Sequence, residues 1–278
     1  MDSGIISEEQ LNRFQNALLQ SEKSEFTVQK YIRDALAFVR FAGRSPATKT
    51  LTRSYKQHLI ECGYAVRSVN SMLTGVNRFL EFMDLPECRV KTLKRQQEIY
   101  CPEEKELSRA EYVRLLEAAK GQEQLYLVMQ TICGTGIRVS ELRYFTVEAV
   151  RRGQVQVRCK SKTRTVFVPG KLQKLLLRYA KKQKLSGCIF VTKRGNPLDR
   201  SNIWASMKRL CAKAGVMPTK VFPHNLRKLF ARTFYGIERD IAKLADILGH
   251  GSIETTRIYI MSTGEEHRRK LERLHLIL

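Results

Sequence analysis

The sequence predicts a mainly α-helical protein of two domains, the second carrying one small antiparallel β-sheet. Three observations point there. Apolar residues recur at helical spacing along most of the 278 positions. Strand-like alternation occurs in one adjacent pair of segments, 154–159 and 164–168. The periodicity fails over 93–105, between two stretches that are each long enough to enclose a core.

Taken in order, residues 7–20 place Leu11, Phe14, Leu18 and Leu19 on one side of a helix, and 26–41 do the same with Val28, Tyr31, Ile32, Ala35, Phe38 and Val39. Gly43 and Pro46 end that second helix. Helices over 49–62 and 68–83 follow, the latter with Val69, Met72, Leu73, Val76, Phe79 and Leu80 inward, so residues 1–92 read as a compact four-helix domain. Tyr31, Phe38 and Phe79 are expected in its core. Residues 93–105, polar and basic around Lys94-Arg95 with Pro102 beyond, read as an extended linker. The second domain, 106–278, opens with a capping box, Ser108 at the N-cap and Glu111 three residues on. Helices over 109–120 and 123–133 lead to a glycine turn at Gly134 and Gly136. A hairpin follows, with Lys160-Ser161-Lys162-Thr163 at its turn and Pro169-Gly170 closing it. Beyond it, helices are expected over 171–184, 201–214, 224–235 and 238–248, with a short strand at 188–191 and a turn at 194–197. A terminal helix over 265–278 has Leu271, Leu274 and Ile277 or Leu278 on one side and Arg268, Arg269, Lys270 and Arg273 on the other.

Charge narrows the partners. The chain carries 50 Lys and Arg against 27 Asp and Glu, a formal net of +23. Residues 1–100 hold fifteen basic and eleven acidic residues, net +4; residues 101–278 hold thirty-five and sixteen, net +19. Such a surplus favours a polyanion bound by counterion release. The first ten residues are polar and acidic, so no secretory leader is expected, and no apolar run is long enough to span a membrane. Seven cysteines, an odd number without a CxxC pair, read as reduced thiols of a cytoplasmic protein rather than as disulfides or a zinc site.

Six positions near one another in chemistry, though not in sequence, can bind a phosphodiester and attack it. The nonbridging oxygens need fixed cations, which Arg138 and Arg227 supply as two-pronged donors charged at any working pH. Proton transfers need Lys or His: His224 lies one turn before Arg227 on the same helix face, and His250 follows the helix-ending Gly249. A hairpin lysine, Lys160 or Lys162, adds a further acid, with Lys160 preferred because it directly follows the first strand. Tyr259, on a helix capped by Ser252, offers an oxygen nucleophile and a covalent ester intermediate. Glu141, one turn beyond Arg138, can hold that arginine or a neighbouring helix end. No carboxylate cluster is required, and so neither metal nor other cofactor is expected. Each residue alone would be ordinary, an arginine in solvent or a histidine in a core; the combination is what carries weight. His58, His267 and His275 belong to no such pattern.

Gly136-Ile137-Arg138-Val139-Ser140-Glu141-Leu142, His224-Asn225-Leu226-Arg227, and Leu248-Gly249-His250 with Tyr259 nine residues on resemble the tyrosine recombinase (phage integrase) family. By motif the resemblance covers 104–278; residues 1–88 are similar to the family's core-binding domain only in size and pattern. It departs at Lys228-Leu229-Phe230, where members commonly carry His or Arg, then a small polar residue, then Phe. The resemblance implies a two-domain clamp around double-stranded DNA, made of a helical core-binding domain and an α/β catalytic domain. Arg138 and Arg227 would grip the scissile phosphate, His224 and His250 would assist proton transfer, and Tyr259 would form a 3′-phosphotyrosyl link. It implies site-specific recombination without metal or ATP, by way of a Holliday junction. Two protomers would sit on each site and four in the synapse, with room for an accessory DNA-bending protein. A compact first domain suggests a minimal recombinase of Xer, integron or small transposon type, as encoded on mobile elements. The terminal helix cannot bury its apolar side alone; docking on a neighbouring protomer is expected, with docking on its own domain as the alternative. Two other readings remain: a DNA-binding regulator on the same fold, and a relaxing enzyme of type IB topoisomerase kind.

Overall fold

The computed structural model describes residues 8–94, 100–159 and 162–276. The chain divides into two compact units, residues 1–97 and 98–278.

The first unit is built of α1 (Glu8–Gln20), α2 (Glu25–Ala42), α3 (Lys49–Glu61) and α4 (Val66–Phe82). Ser24 and Thr48 accept hydrogen bonds from Thr27 N and Leu51 N, starting α2 and α3. Phe14, Phe38, Leu73, Val76 and Phe79 are almost wholly buried, and Tyr31 packs against them, as their spacing predicts. Buried Asp34 of α2 accepts an ion pair from Lys30, whose ammonium also donates to Ser71 O of α4. After α4 and a 3-10 turn at Pro86–Cys88 the chain runs extended, and two asparagine side chains take the place of a neighbouring strand. Asn77 bonds both the amide and carbonyl of Val90, and Asn70 those of Leu93. Lys94 lies just beyond, while Arg95 of the expected linker is outside the described residues.

The second unit contains α5 (Arg109–Ala118), α6 (Glu123–Thr135), a 3-10 turn at Val139–Tyr144, and α7 (Val147–Arg151). The hairpin β1 (Gln154–Cys159) and β2 (Lys162–Phe167) follows, then α8 (Gly170–Lys182), α9 (Arg200–Arg209), α10 (Cys211–Ala214) and α11 (Pro223–Ile237). The last helices are α12 (Ile241–Leu248), α13 (Ile253–Ile260) and α14 (Gly264–Glu272). The Ser108–Glu111 capping box is present in both directions. Helix α6 is the spine: Val128, Met129 and Ile132 are fully enclosed, with α11 against one side and α8 against another. The strands pair antiparallel from Gln154↔Phe167 to Cys159↔Lys162, turning Val155, Val157, Val166 and Val168 to the core. Among the described residues no helix is long and apolar enough to cross a membrane.

Several expected elements are corrected. The apolar run at 188–191 is not a strand. It makes only the single bridges Thr146↔Cys188 and Val191↔Pro197, and its burial reflects Ile189 and Phe190 filling the core. Strand β2 begins at Lys162, so Lys162 and Thr163 belong to the ladder rather than to the turn. The helix expected over 201–214 breaks at Leu210, whose amide steps back three residues to Met207 O. Helix α12 begins only at Ile241, because Asp240 caps it by accepting from Lys243 N, while Glu238 closes α11. The terminal helix stops at Glu272, short of the expected end, and residues 277 and 278 lie outside the described residues.

Gly75 marks the tightest crossing in the first unit, since a Cβ there would sit 2.8 Å from Asp34 Cβ. Gly75→Ala gains about 1 kcal/mol in helix propensity, but overpacking costs about 1–3 kcal/mol and displaces a buried ion pair. The expected outcome is a lower urea midpoint for the full chain; an unchanged or higher midpoint contradicts this packing.

Candidate active site

The C-terminal end of α12 organises the site. Gly249 adopts the left-handed conformation, φ +64°, that ends the helix and leaves the last carbonyls without intrahelical partners. Three guanidinium groups take them. Arg227, from the first turns of α11, donates to Leu248 O and to Gly136 O, both at 2.6 Å. Arg138 donates to Gly249 O at 3.0 Å and reaches Leu248 O at 3.4 Å. Arg164 of β2 donates through Nε to Ile247 O at 3.0 Å. The negative end of the helix dipole thus faces three cations.

One carboxylate stands among them. Glu141, 2% exposed, accepts the Arg138 amide at 2.8 Å and the Arg138 guanidinium at 3.2 Å. It also accepts both terminal nitrogens of Arg164, each at 2.8 Å. Burial alone would raise its pKa, but the Arg164 and Arg138 donors outweigh that and hold it below the ordinary carboxylate range. Among the described residues Arg227 touches no acid. Burial first, then the charge of Arg138, lowers its pKa to about 10, which leaves it charged at neutral pH. Its Nε is enclosed without a partner.

The imidazoles are neutral. Arg227 Nη2 can only donate, so the 2.9 Å contact makes His250 Nε2 the acceptor. The proton then sits on Nδ1 and is donated to the buried Thr256 hydroxyl at 2.8 Å. Burial, then Arg227 and Arg138, brings the His250 pKa to about 3. His224 reaches solvent on one side, yet the protein packed on the other, with Lys228 and Arg227, lowers its pKa to about 4. Between these rings lies Tyr259, 7% exposed, edge-on to both at 4.9 and 4.7 Å between centroids. Its hydroxyl is 3.5 Å from His224 Nδ1, and its ring lies 5.9 Å from the Arg227 guanidinium carbon. Ser252 caps α13 by accepting from Glu254 N, which fixes the helix that presents Tyr259. Arg138, His224 and Arg227 open onto a cavity of about 770 Å³, also lined by Arg200, Trp204 and Lys208.

Five of the six sequence-derived site residues therefore meet in one place: Arg138, His224, Arg227, His250 and Tyr259. The sixth, Lys160, lies outside the described residues; the backbone of Lys162 pairs with Cys159 at the end of the hairpin. Sequence reasoning passed over Arg164 and Thr256. Arg164 left a signal, since it is in phase with Val166 and Val168 on the inward face of β2, where an arginine needs an acceptor. Thr256 left none.

Unfolded histidines protonate near 6.5, whereas His224 and His250 protonate near 4 and 3 in the fold. Between those values the unfolded chain binds more protons. Their contribution to stability is therefore complete above about pH 6.5 and lost as pH falls toward 4. The urea midpoint of the DNA-free protein should decline across that window, and His250→Asn should flatten the decline. An equally steep decline in the variant would contradict a neutral His250.

Comparison with known proteins gives the family. The model of the phage integrase family matches residues 105–266. The tyrosine recombinase XerA of Pyrococcus furiosus is 29% identical over 286 residues, covering 100% of this chain and 98% of its own length. The tyrosine recombinase XerD of Vibrio cholerae is 27% identical, covering 97% of this chain and 90% of its own. Among solved structures, a XerA recombinase superposes with a TM-score of 0.55 at 26% identity, over 97% of this chain and 99% of that one. A lambda integrase (75–356) dimer bound to a COC′ core site superposes at 0.75 with 18% identity, over 93% and 96%, a likeness of fold. With a family model that matches more than half of its residues, the chain belongs to the phage integrase family of tyrosine recombinases.

Proposed function

We propose that this protein recombines DNA at specific sites by breaking and rejoining strands through Tyr259. The observation that carries the reading is the Tyr259 hydroxyl beside His224, with its ring against Arg227 and His250, at a cluster of three arginines that holds one carboxylate. With both imidazoles neutral, that cluster has an excess positive charge suited to a phosphodiester.

In the reaction so read, Arg138 and Arg227 hold the nonbridging oxygens of the scissile phosphate. The Tyr259 oxygen attacks phosphorus, His224 takes the phenolic proton, and the bond to the 5′-oxygen breaks. Lys160 protonates that oxygen, leaving a 3′-phosphotyrosyl ester and a free 5′-hydroxyl. Attack by a 5′-hydroxyl from a partner duplex reverses the step, so two rounds pass through a Holliday junction without ATP or metal. His250 donates to the phosphate once Nε2 is released from Arg227 and the ring takes its other neutral tautomer, the proton moving from Nδ1 to Nε2 and Nδ1 then accepting from the Thr256 hydroxyl. Residues 1–92 serve as the core-binding domain and 106–278 as the catalytic domain, joined by the linker at 93–105. Two protomers occupy a site and four the synapse. Helix α14, which buries none of its residues and is followed by exposed Leu274 and Leu276, docks on a neighbouring protomer.

Tyr259→Phe removes one oxygen and keeps the ring between the imidazoles. It should bind DNA with unchanged affinity and salt dependence and form no covalent adduct in a denaturing gel. An adduct at wild-type level would overturn the reading. Wild-type protein that relaxes a plasmid lacking any selected site would favour a topoisomerase instead.

Lys160→Ala should slow cleavage of an ordinary phosphodiester by roughly 10²–10⁴-fold, the range of general acid catalysis. A 5′-bridging sulfur leaves without a proton and should restore the rate. Rescue seen with Lys162→Ala and not with Lys160→Ala would move the role to Lys162.

A further inference from the structure

One cation of the site is turned to protein. All three nitrogens of Arg164 bond to protein: Nε to Ile247 O at 3.0 Å and the two terminal nitrogens to Glu141 at 2.8 Å each. Its side chain is 13% exposed. Its charge is met by a carboxylate fork, whereas Arg227, among the described residues, bonds only to carbonyls and an imidazole, so Arg164 is not the cation left over for a phosphate. It does, however, share its carboxylate with Arg138, which touches the same Glu141 Oε1 at 3.2 Å and is 32% exposed toward solvent.

We infer that Arg164 is a positioning residue that occupies Glu141, leaving the charge and one face of Arg138 free for the scissile phosphate. The two arginines compete for one carboxylate, which matters to function only through the phosphodiester chemistry proposed above. Glu141 has two oxygens and two guanidinium suitors. With Arg164 in place, the carboxylate is held in a two-oxygen fork from the strand side, and Arg138 keeps one longer contact plus its carbonyl partners at Leu248 and Gly249. Without Arg164, the stronger arrangement for a buried carboxylate is a fork with Arg138 itself. That would draw Arg138 off the carbonyls and cancel its charge. Arg164 also fixes the hairpin: its Nε contact ties β2 to the end of α12, so the strand leading from Lys162 and the loop bearing His250 share one anchor. Gly249 is part of the device, because a Cβ there would lie 2.9 Å from Arg164 Cδ.

The test is single-turnover adduct formation on a duplex carrying a selected site, with DNA affinity and thermal melting measured alongside. Arg164→Gln should slow adduct formation by about 10²-fold, the cost of misplacing a reacting group by an ångström, with DNA affinity little changed. The double variant Glu141→Gln/Arg164→Gln removes the stray carboxylate and should recover about tenfold of that loss, the scale of coupling between groups in contact. A merely structural Arg164 gives no such rescue. Arg164→Gln at wild-type rate, or a folded double variant as slow as the single, overturns the inference. If Arg164→Gln does not fold, Arg164→Lys decides: a cation beside Glu141 should keep adduct formation within about tenfold of wild type, and a rate no better than background overturns it. Wild-type protein that forms no adduct would instead sink the phosphotyrosyl reading, and this one with it.

Discussion

The carbonyls at the end of α12 are the feature on which the rest of the site depends. A helix that stops abruptly leaves acceptors at its C-terminus with a partial negative charge. Here Ile247, Leu248 and Gly249 offer those acceptors to Arg164, Arg227 and Arg138, which arrive from β2, α11 and the turn after α6. Like charges that would repel in isolation are held together by a shared set of dipoles and one carboxylate. The backbone has to cooperate. Gly249 must turn left-handed to stop the helix, and Gly136, φ +65°, must do the same to present its carbonyl to Arg227. A Cβ at Gly136 would fall 2.4 Å from a Phe230 ring carbon, so the family-like glycine there is a matter of packing as well as of turn geometry.

The chemistry follows from that gathering. Burial, and after it the neighbouring cations, depresses the pKa of both imidazoles, and neutral imidazoles can accept protons or hydrogen bonds where charged ones could not. Tyr259 is then fixed by two rings set edge-on and by the cap of α13, not by a hydrogen bond to an acid. One consequence is a division of labour among cations of the same type. Arg227 is buried and bonded to carbonyls, Arg138 is partly open to the cavity, and Arg164 is spent within the protein. Residue type alone does not distinguish these three; their acceptors do.

Much of this was legible in the sequence, for physical reasons that differ by element. The helices of the first unit show because their apolar stripes are complete, as at Phe38 and Phe79. The hairpin shows because one face is buried and the other is not, Val166 inward and Phe167 75% exposed. The stretch around Ile189 misled because a short apolar run has the same pattern whether it pairs as a strand or plugs a core as a loop. Tyr259 and its companions stood out by motif order, whereas Arg164 had to be found by its phase within a strand, and the Thr256 hydroxyl only by the ring it orients. What sequence could not give was the acceptor each donor would choose.

The most direct measurement is a crystal structure of Tyr259→Phe bound to a duplex selected from random sequence. The account predicts one phosphate held by both Arg138 and Arg227, with the ring of residue 259 beside it in line with the bond to be broken. The Arg227–Leu248 and Arg138–Gly249 carbonyl contacts should survive. Arginines on separate phosphates, or an α12 terminus rebuilt so that these carbonyls no longer gather them, would contradict it.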